Sequence, residues 1–161
     1  MTPLSLLFVF LFGAMLISFM CSILEATLMS TPLSYINMRE DEGYKYAPRF
    51  KQYKTENARP IAAILSLNTI ANTIGAAGVG AQATAVFGSQ WFGLVSAVTT
   101  ILILVFSEII PKTIGTRYYK KLMAFTTNTL RFIIILLFNF VPVFQNILHT
   151  IVIGLAKILL F

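Results

Sequence analysis

The sequence predicts an all-α integral membrane protein with three transmembrane helices plus juxtamembrane or re-entrant helices. Of its 161 residues, 57% are hydrophobic and only 11% are charged, whereas an ordinary soluble domain has about 25% charged residues. The charges are also segregated, because residues 60–107 and 132–156 contain none. A transmembrane helix needs only about 20 apolar residues. The composition therefore excludes a soluble globular domain, a disordered chain and a secreted disulfide scaffold.

The remaining composition narrows the classes of function. Lys and Arg outnumber Asp and Glu by 12 to 6, and in a membrane protein such an excess is typical of loops that set the topology. We therefore expect no nucleic-acid partner. Cys21 is the only cysteine, which excludes a disulfide or a thiolate metal cluster. One His, with neither a GKS/GKT phosphate-binding loop nor an HExxH motif, argues against nucleotide-driven pumping and zinc hydrolysis, so we expect no enzyme.

Three apolar segments are long enough to cross a bilayer. The first runs from about 3 to 29 and begins with Pro3, which is favoured in the first turn of a helix. The second, roughly 61–86, is rich in Ala and Gly, which let helices approach closely in lipid. A short polar turn at 88–90 separates it from the third segment, 91–110, which starts at an interfacial Trp and is followed directly by Pro111.

The basic residues predict the orientation of these spans. Residues 37–59 carry six Lys or Arg against four acids, and residues 112–121 carry four Lys or Arg and no acid. The turn at 88–90 has no charge. By the positive-inside rule we expect loops 33–59 and 112–121 in the cytoplasm and the N-terminus outside, in a multi-pass protein of the cell membrane. This gives a three-span core, residues 1–121, with a cytoplasmic, partly helical basic loop at 33–59.

Residues 122–161 allow two interpretations. They contain two apolar stretches with polar residues and Pro142 between them, and Pro ends or kinks an apolar helix. A fourth full span is one interpretation. The one we favour is a juxtamembrane or re-entrant helical hairpin that turns near Pro142, because Arg131 and Lys157 flank it on both sides.

Two acids lie inside apolar segments, Glu25 in the first and Glu108 in the third. An ionisable group at membrane depth costs at least a few kcal/mol and indicates function by default. Residues 3–38 and 60–107 contain no Lys or Arg, so neither acid has a basic partner within the predicted spans. Each therefore needs a cation, a proton or a position near the water interface.

Oxygen-bearing side chains accompany these acids on all three segments. Ser18, Ser22 and Glu25 share one face of the first helix, and Asn68 and Asn72 share one face of the second. Pro111 cannot donate the backbone bond that would reach the Ser107 carbonyl, so a free carbonyl is expected near Glu108. Carboxylate, amide, hydroxyl and carbonyl oxygens are the ligands of Mg²⁺, Ca²⁺ and Na⁺. Simpler explanations stay open, namely hydrogen bonds between helices for Ser and Asn, and interfacial positions for the two acids.

Three segments of the sequence resemble motifs of one membrane-protein family. Residues 22–26 (SILEA) resemble the serine-x-x-glutamate segment in the first membrane helix of CNNM/CorC magnesium transporters. Residues 68–72 (NTIAN) resemble that family's asparagine-rich second-helix motif, and residues 108–112 (EIIPK) its glutamate-x-x-proline-lysine signature. The three occur in the family's order on successive apolar segments, and the resemblance covers about residues 4–121.

The resemblance implies a homodimeric three-helix membrane domain that exports Mg²⁺, with Na⁺ as the coupling ion. It places ligand roles on Ser22, Asn68 and Glu108, with Asn72 and Glu25 as supporting residues. Members of the family carry cytoplasmic nucleotide-sensing domains after the membrane part, and we expect these to be absent from this chain, which ends at Phe161. Two other functions stay open, a non-transporting membrane scaffold and a proton-coupled carrier of small solutes.

Overall fold

The computed structural model describes residues 2–137, which form helices joined by short connections, with no strand in this part of the chain. The first four helices are α1 (Pro3–Ser30), α2 (Leu33–Asp41), α3 (Ala47–Thr55) and α4 (Ala58–Phe87). A 3₁₀ turn at Ser89–Trp91 leads into α5 (Phe92–Leu102), a π-helical segment (Ile103–Ile109) and α6 (Ile110–Arg117). The last described helix, α7, covers residues 119–137.

Three of these stretches are long and apolar enough to cross a membrane, which confirms the three predicted spans. They are Pro3–Ser30, Ala58–Phe87 and the continuous stretch Ser89–Arg117. Thr2 caps the first span, because its hydroxyl oxygen accepts the backbone N–H of Ser5. The polar turn between the second and third spans is also as predicted, and Gly88 makes it possible by adopting a φ of +84°, which other residues rarely accept.

The third span differs from its prediction, because the helix does not end before Pro111. It continues through α6 to Arg117. The π-helical segment directly before Pro111 widens the helix there, and the Ile110 N–H bonds the carbonyl of Val105, five residues back. A widened turn relieves the clash that a proline ring makes with the carbonyl four residues earlier. The proline therefore follows a bulge instead of ending the helix.

Helices α1 and α4 form a tightly packed antiparallel pair. Gly75 of α4 lies directly on Ala14 of α1, and Gly78 lies on the ring of Phe10. A side chain at either glycine would overlap these neighbours. The small residues of α4 therefore work as predicted from the sequence, by letting two helices approach closely.

The third span crosses this pair as it runs toward α7. Near the turn at 89–91 it packs on α4, whereas the π-helical segment and α6 pack on α1. Gly115 of α6 sits against Ala26 of α1, where an added Cβ would lie only 2.7 Å from the Ala26 methyl group. Helix α1 therefore contacts both other spans and occupies the centre of the described core.

Helices α2, α3 and α7 form a belt around the end of α1 that carries Ser30. Its core is one cluster of buried residues from five helices, with Phe50 and Ile36 among the most buried. The Lys54 ammonium group of α3 donates to the carbonyls of Leu28 and Met29, at 2.9 and 2.6 Å. It thereby caps two of the carbonyls that a helix leaves unpaired at its C-terminal end. The predicted partial helicity of residues 37–59 is confirmed by α2 and α3.

The predicted hairpin of the tail lies mostly outside the described residues. Within 122–161, only residues 122–137 are described, and they are helical. Pro142 and Lys157 lie outside the described part, so the choice between a hairpin and a fourth span stays a prediction.

Candidate cation site

The packing of α1 against α4 fixes the depth of the two asparagines. Because the helices are antiparallel and Gly75 lies on Ala14, moving seven residues back on α4 and seven forward on α1 brings Asn68 level with Cys21, next to Ser22. By the same count Asn72 is level with Ile17, next to Ser18. The asparagine-bearing face and the serine stripe of α1 therefore lie at matching depths.

The third span joins this level through a direct hydrogen bond. The Ser22 hydroxyl of α1 donates to the backbone carbonyl of Ser107 in the π-helical segment, at 2.7 Å. Ser107 carries the carbonyl that a regular helix would pair with the N–H of residue 111, which Pro111 lacks. The Ser107 carbonyl, which the sequence predicted to lack its usual backbone partner, accepts the Ser22 hydroxyl. The Ser22 oxygen keeps its own lone pairs available to a further partner.

Several buried oxygens around this level have no hydrogen-bond partner within the described residues. They are the side-chain oxygens of Ser18, Asn68, Asn72 and Ser107. A buried polar group without a partner costs roughly 1–3 kcal/mol, and native structures contain few of them. Four such oxygens lie on three helices at neighbouring depths, which makes this level the candidate site.

Glu108 follows Ser107 directly and supplies the negative charge at this depth. Its side chain is partly buried, and none of the residues from 2 to 137 pairs with it by an ion pair or a hydrogen bond. Lys112 lies four residues further on, at a spacing that pairs Glu with Lys on a regular helix. Here Lys112 turns elsewhere, because the π-helical segment changes the rotation between side chains along the span.

The partner of Lys112 is Glu25, which corrects one conclusion from the sequence. Its Nζ lies 3.3 Å from a carboxylate oxygen of Glu25, and both side chains are partly exposed. The sequence predicted no basic partner for Glu25 because it ended the third span at 110. Since the helix runs on to Arg117, Lys112 remains on it and reaches α1. Glu25 is thus engaged in an ion pair one helical turn beyond Ser22.

The structure therefore groups the predicted site residues unequally. Ser22, Asn68 and Glu108 lie at one depth, together with Ser107, and we call these four residues the polar layer. Asn72 lies one turn away from the layer toward the 89–91 turn, beside Ser18, and Glu25 lies one turn away in the opposite direction. The sequence placed Ser18 and Ser107 near the acids but gave them no ligand roles. It did not predict that Lys112 pairs with Glu25.

The polar layer has the chemistry of a site for a hard cation. It offers one carboxylate, one amide oxygen and two hydroxyl oxygens, which suit Mg²⁺, Ca²⁺ or Na⁺. No group of three or more His, Cys, Asp or Glu side chains is found among residues 2–137.

Comparisons with known proteins agree with the motifs and the fold. The chain matches the family described as "Cyclin M transmembrane N-terminal domain" over residues 6–158. It is 36% identical over 123 residues to a UPF0053 protein of Synechocystis sp., a match that covers 76% of this chain and 36% of that protein. It is 26% identical over 128 residues to a UPF0053 protein of Haemophilus influenzae, covering 80% of this chain and 30% of the relative.

The chain spans about a third of the length of these two relatives. The family match nevertheless covers nearly all of its 161 residues, and the match is to a transmembrane domain that fits the three apolar spans. The chain is thus a multi-pass membrane protein, and it belongs to the cyclin M transmembrane N-terminal domain family.

Proposed function

We propose that this chain moves Mg²⁺ across the membrane through the polar layer, in the export direction and coupled to Na⁺. The observation that supports this most is the position of Glu108. Its carboxylate has no partner among the described residues. It lies level with the unpartnered amide oxygen of Asn68 on α4 and with the Ser22 hydroxyl on α1. A cation between the three helices would pair with the Glu108 and Asn68 oxygens at once.

The donor set also suits transport rather than permanent binding. One carboxylate with several neutral oxygens holds a divalent ion less tightly than a cage of several carboxylates, so the ion is released more easily. Mg²⁺ gives up its water reluctantly, and we infer that it keeps some of it in the layer. The choice of Mg²⁺, its export and the role of Na⁺ rest on the likeness of residues 22–26, 68–72 and 108–112 to the family motifs.

The Glu25–Lys112 pair supports a role for Glu25 beside the layer rather than in it. Its carboxylate is already neutralised by an ammonium group at 3.3 Å, so it attracts a cation less than Glu108 does. We propose that Glu25 and Asn72 flank the path of the ion on the two sides of the layer. The ion pair would open or reform as the ion passes.

We also propose that the chain acts as a homodimer. The small residues of α4 divide into two faces, of which one packs on α1. The other is exposed and carries Ala77, Ala81 and Ala85, and in lipid such small residues favour close approach of another helix. Cysteine crosslinking at Ala81 in lipid vesicles should yield a dimer, and a monomer alone would argue against it.

The test of the transport proposal is Glu108→Gln, which removes the charge and nearly preserves the shape. We expect it to abolish Mg²⁺ flux into or out of liposomes and to weaken Mg²⁺ binding in isothermal titration, without loss of the folded state. Asn68→Ala and Ser22→Ala should weaken binding in a graded way, because each removes one neutral oxygen. Asp41→Asn is the matched control, since Asp41 is an exposed acid in the belt.

Two outcomes would separate this proposal from its alternatives. Normal Mg²⁺ flux by a folded Glu108→Gln protein would contradict the site and favour a membrane scaffold. Flux of protons with an organic solute, unaffected by Mg²⁺, would favour a proton-coupled carrier.

A further inference from the structure

We propose that the third span carries a binding site for the phosphate of an anionic phospholipid, formed by Lys112 and Arg117. The two cations, together with Thr113 and Thr116, line one open cavity on α6. Lys112 and Thr116 lie four residues apart, as do Thr113 and Arg117, so the two pairs are neighbouring rows on the helix surface. This cavity is separate from the polar layer, and the proposal does not depend on which ion is transported.

The depth of the cavity matches that of lipid headgroups. A hydrocarbon core of about 30 Å is crossed by about 20 helical residues. Counted from the interfacial Trp91, twenty residues reach position 111, so Lys112–Arg117 leave the hydrocarbon and enter the headgroup region. Phosphate groups of the nearest lipids lie at this level.

The stretch of chain that carries the cavity has only basic charges. Residues 109–137 contain five Lys or Arg and no Asp or Glu. Glu25 takes up part of the charge of Lys112, but Arg117 has no acidic partner among the described residues. The hydroxyls of Thr113 and Thr116 donate to the helix backbone, at 2.9 and 2.8 Å. The cations are therefore the groups that would attract an anion.

An apolar surface directly precedes these cations, which favours a lipid over a soluble anion. Ile109 and Ile110 are exposed, Ile109 by 53%, and Ile109 lies three to four residues before Lys112 and Thr113 on the same face. The face thus changes from apolar to cationic along the direction in which a phospholipid changes from acyl chain to headgroup. A free phosphate would use only the second half of this surface.

The experiment is native mass spectrometry of the purified protein titrated with dioleoyl phosphatidylglycerol or dioleoyl phosphatidylcholine, which differ only in the headgroup. We expect the wild type to retain phosphatidylglycerol preferentially. Arg117→Gln should reduce that preference about fivefold, the loss expected for one cation near a bilayer surface, and Arg117→Lys should restore most of it. Lys45→Gln is the control, because it removes the same charge from an exposed position between α2 and α3.

Three results would overturn the proposal. Equal retention of the two lipids by the wild type would show that there is no selective site. An equal loss in Lys45→Gln and Arg117→Gln would show attraction to surface charge in general. Displacement of the lipid by millimolar glycerol 3-phosphate would show that the cations bind a soluble phosphate. Circular dichroism melting of each variant shows whether the protein measured is folded. If Arg117→Gln does not fold, the comparison of Arg117→Lys with the wild type still tests the site.

Discussion

Single hydroxyl groups have different roles along the serine stripe of α1. Ser22 is 2% exposed and donates to the carbonyl that Pro111 leaves unpaired. Ser18, one turn away, is equally buried but has no partner among the described residues. The two positions look alike in the sequence, so only the path of the third span distinguishes the structural hydroxyl from the available one.

We expect Ser22→Ala to lower the free energy of unfolding by about 1 kcal/mol, because it removes the buried hydrogen bond between α1 and the Ser107 carbonyl. Ser18→Ala removes a buried hydroxyl that has no partner among the described residues, so we expect it to leave the free energy of unfolding unchanged or to raise it by about 1 kcal/mol. Thermal unfolding of both variants in the same detergent measures the difference. Equal destabilisation by the two would mean that the bond from Ser22 contributes nothing.

Helices α1 and α4 approach each other closely at Gly75 and Ala14. We expect Gly75→Ala to destabilise the protein by about 1–3 kcal/mol, since the new methyl group would overlap that of Ala14. Ala14→Gly in the same chain removes the overlap and should restore much of the loss. A double-mutant cycle of unfolding temperatures checks this. Additive effects of the two substitutions would contradict the proposed contact.

The belt helices give a prediction about pH. Burial raises the pKa of Tyr53 above its ordinary value of 10.0, an effect that Arg49 and Arg131 partly oppose. The folded state therefore disfavours the phenolate. The stability linked to this group is fully present below pH 10 and is lost as pH rises through the raised pKa.

We expect Tyr53→Phe to lose less stability than the wild type between pH 9 and 11, measured by thermal unfolding in detergent. Burial lowers the pKa of Lys54, so its contribution to the stability of the protein rises over the same pH range. This contribution is the same in the wild type and in Tyr53→Phe. Tyr118→Phe is the control, since Tyr118 is exposed. The same pH dependence in all three proteins would rule out Tyr53 as the source.

For the helices and turns, the sequence predicted the number of spans, the turn at 88–90 and the helical belt. Each rests on local chemistry, either an uninterrupted apolar run or a turn residue. It failed at Pro111, where the rule that proline ends a helix was overridden by a π-helical segment. The π-helical segment packs on α1 and accepts a hydrogen bond from Ser22. A local sequence pattern does not reveal a contact between residues so far apart in the chain.

That one error accounts for the error at Glu25. Ser22, Asn68 and Glu108 lie at one level in the structure, and their roles as ligands stay predictions. The partner of Glu25 depended on how far the third helix runs and on the close contact of Gly115 with Ala26. Such contacts between distant segments follow from packing and are not visible in the order of residues.

For the whole molecule, we expect loops 33–59 and 112–121 on the cytoplasmic side and the 88–90 turn outside. All the Lys and Arg residues of the described part lie in or beyond the two basic loops, which is the bias that sets orientation. A cysteine at Ser89 should react with an impermeant maleimide in intact cells after Cys21 is replaced by Ser. A cysteine at Lys51 should react only after the cells are opened. Labelling of the Lys51 variant from outside would reverse the topology.

The close packing of α1 on α4 also has a mechanical consequence. Sliding or tilting of the two helices would break the close contact of Gly75 with Ala14, so we expect them to move together. The third span is held differently, by α4 near its start and by α1 from the π-helical segment onward. If the chain transports a cation as proposed, access to the polar layer alternates between the two sides of the membrane. We then expect the third span to move relative to α1 and α4, with the π-helical segment as its hinge. Glu108 lies in that segment, so its carboxylate would move together with the third span.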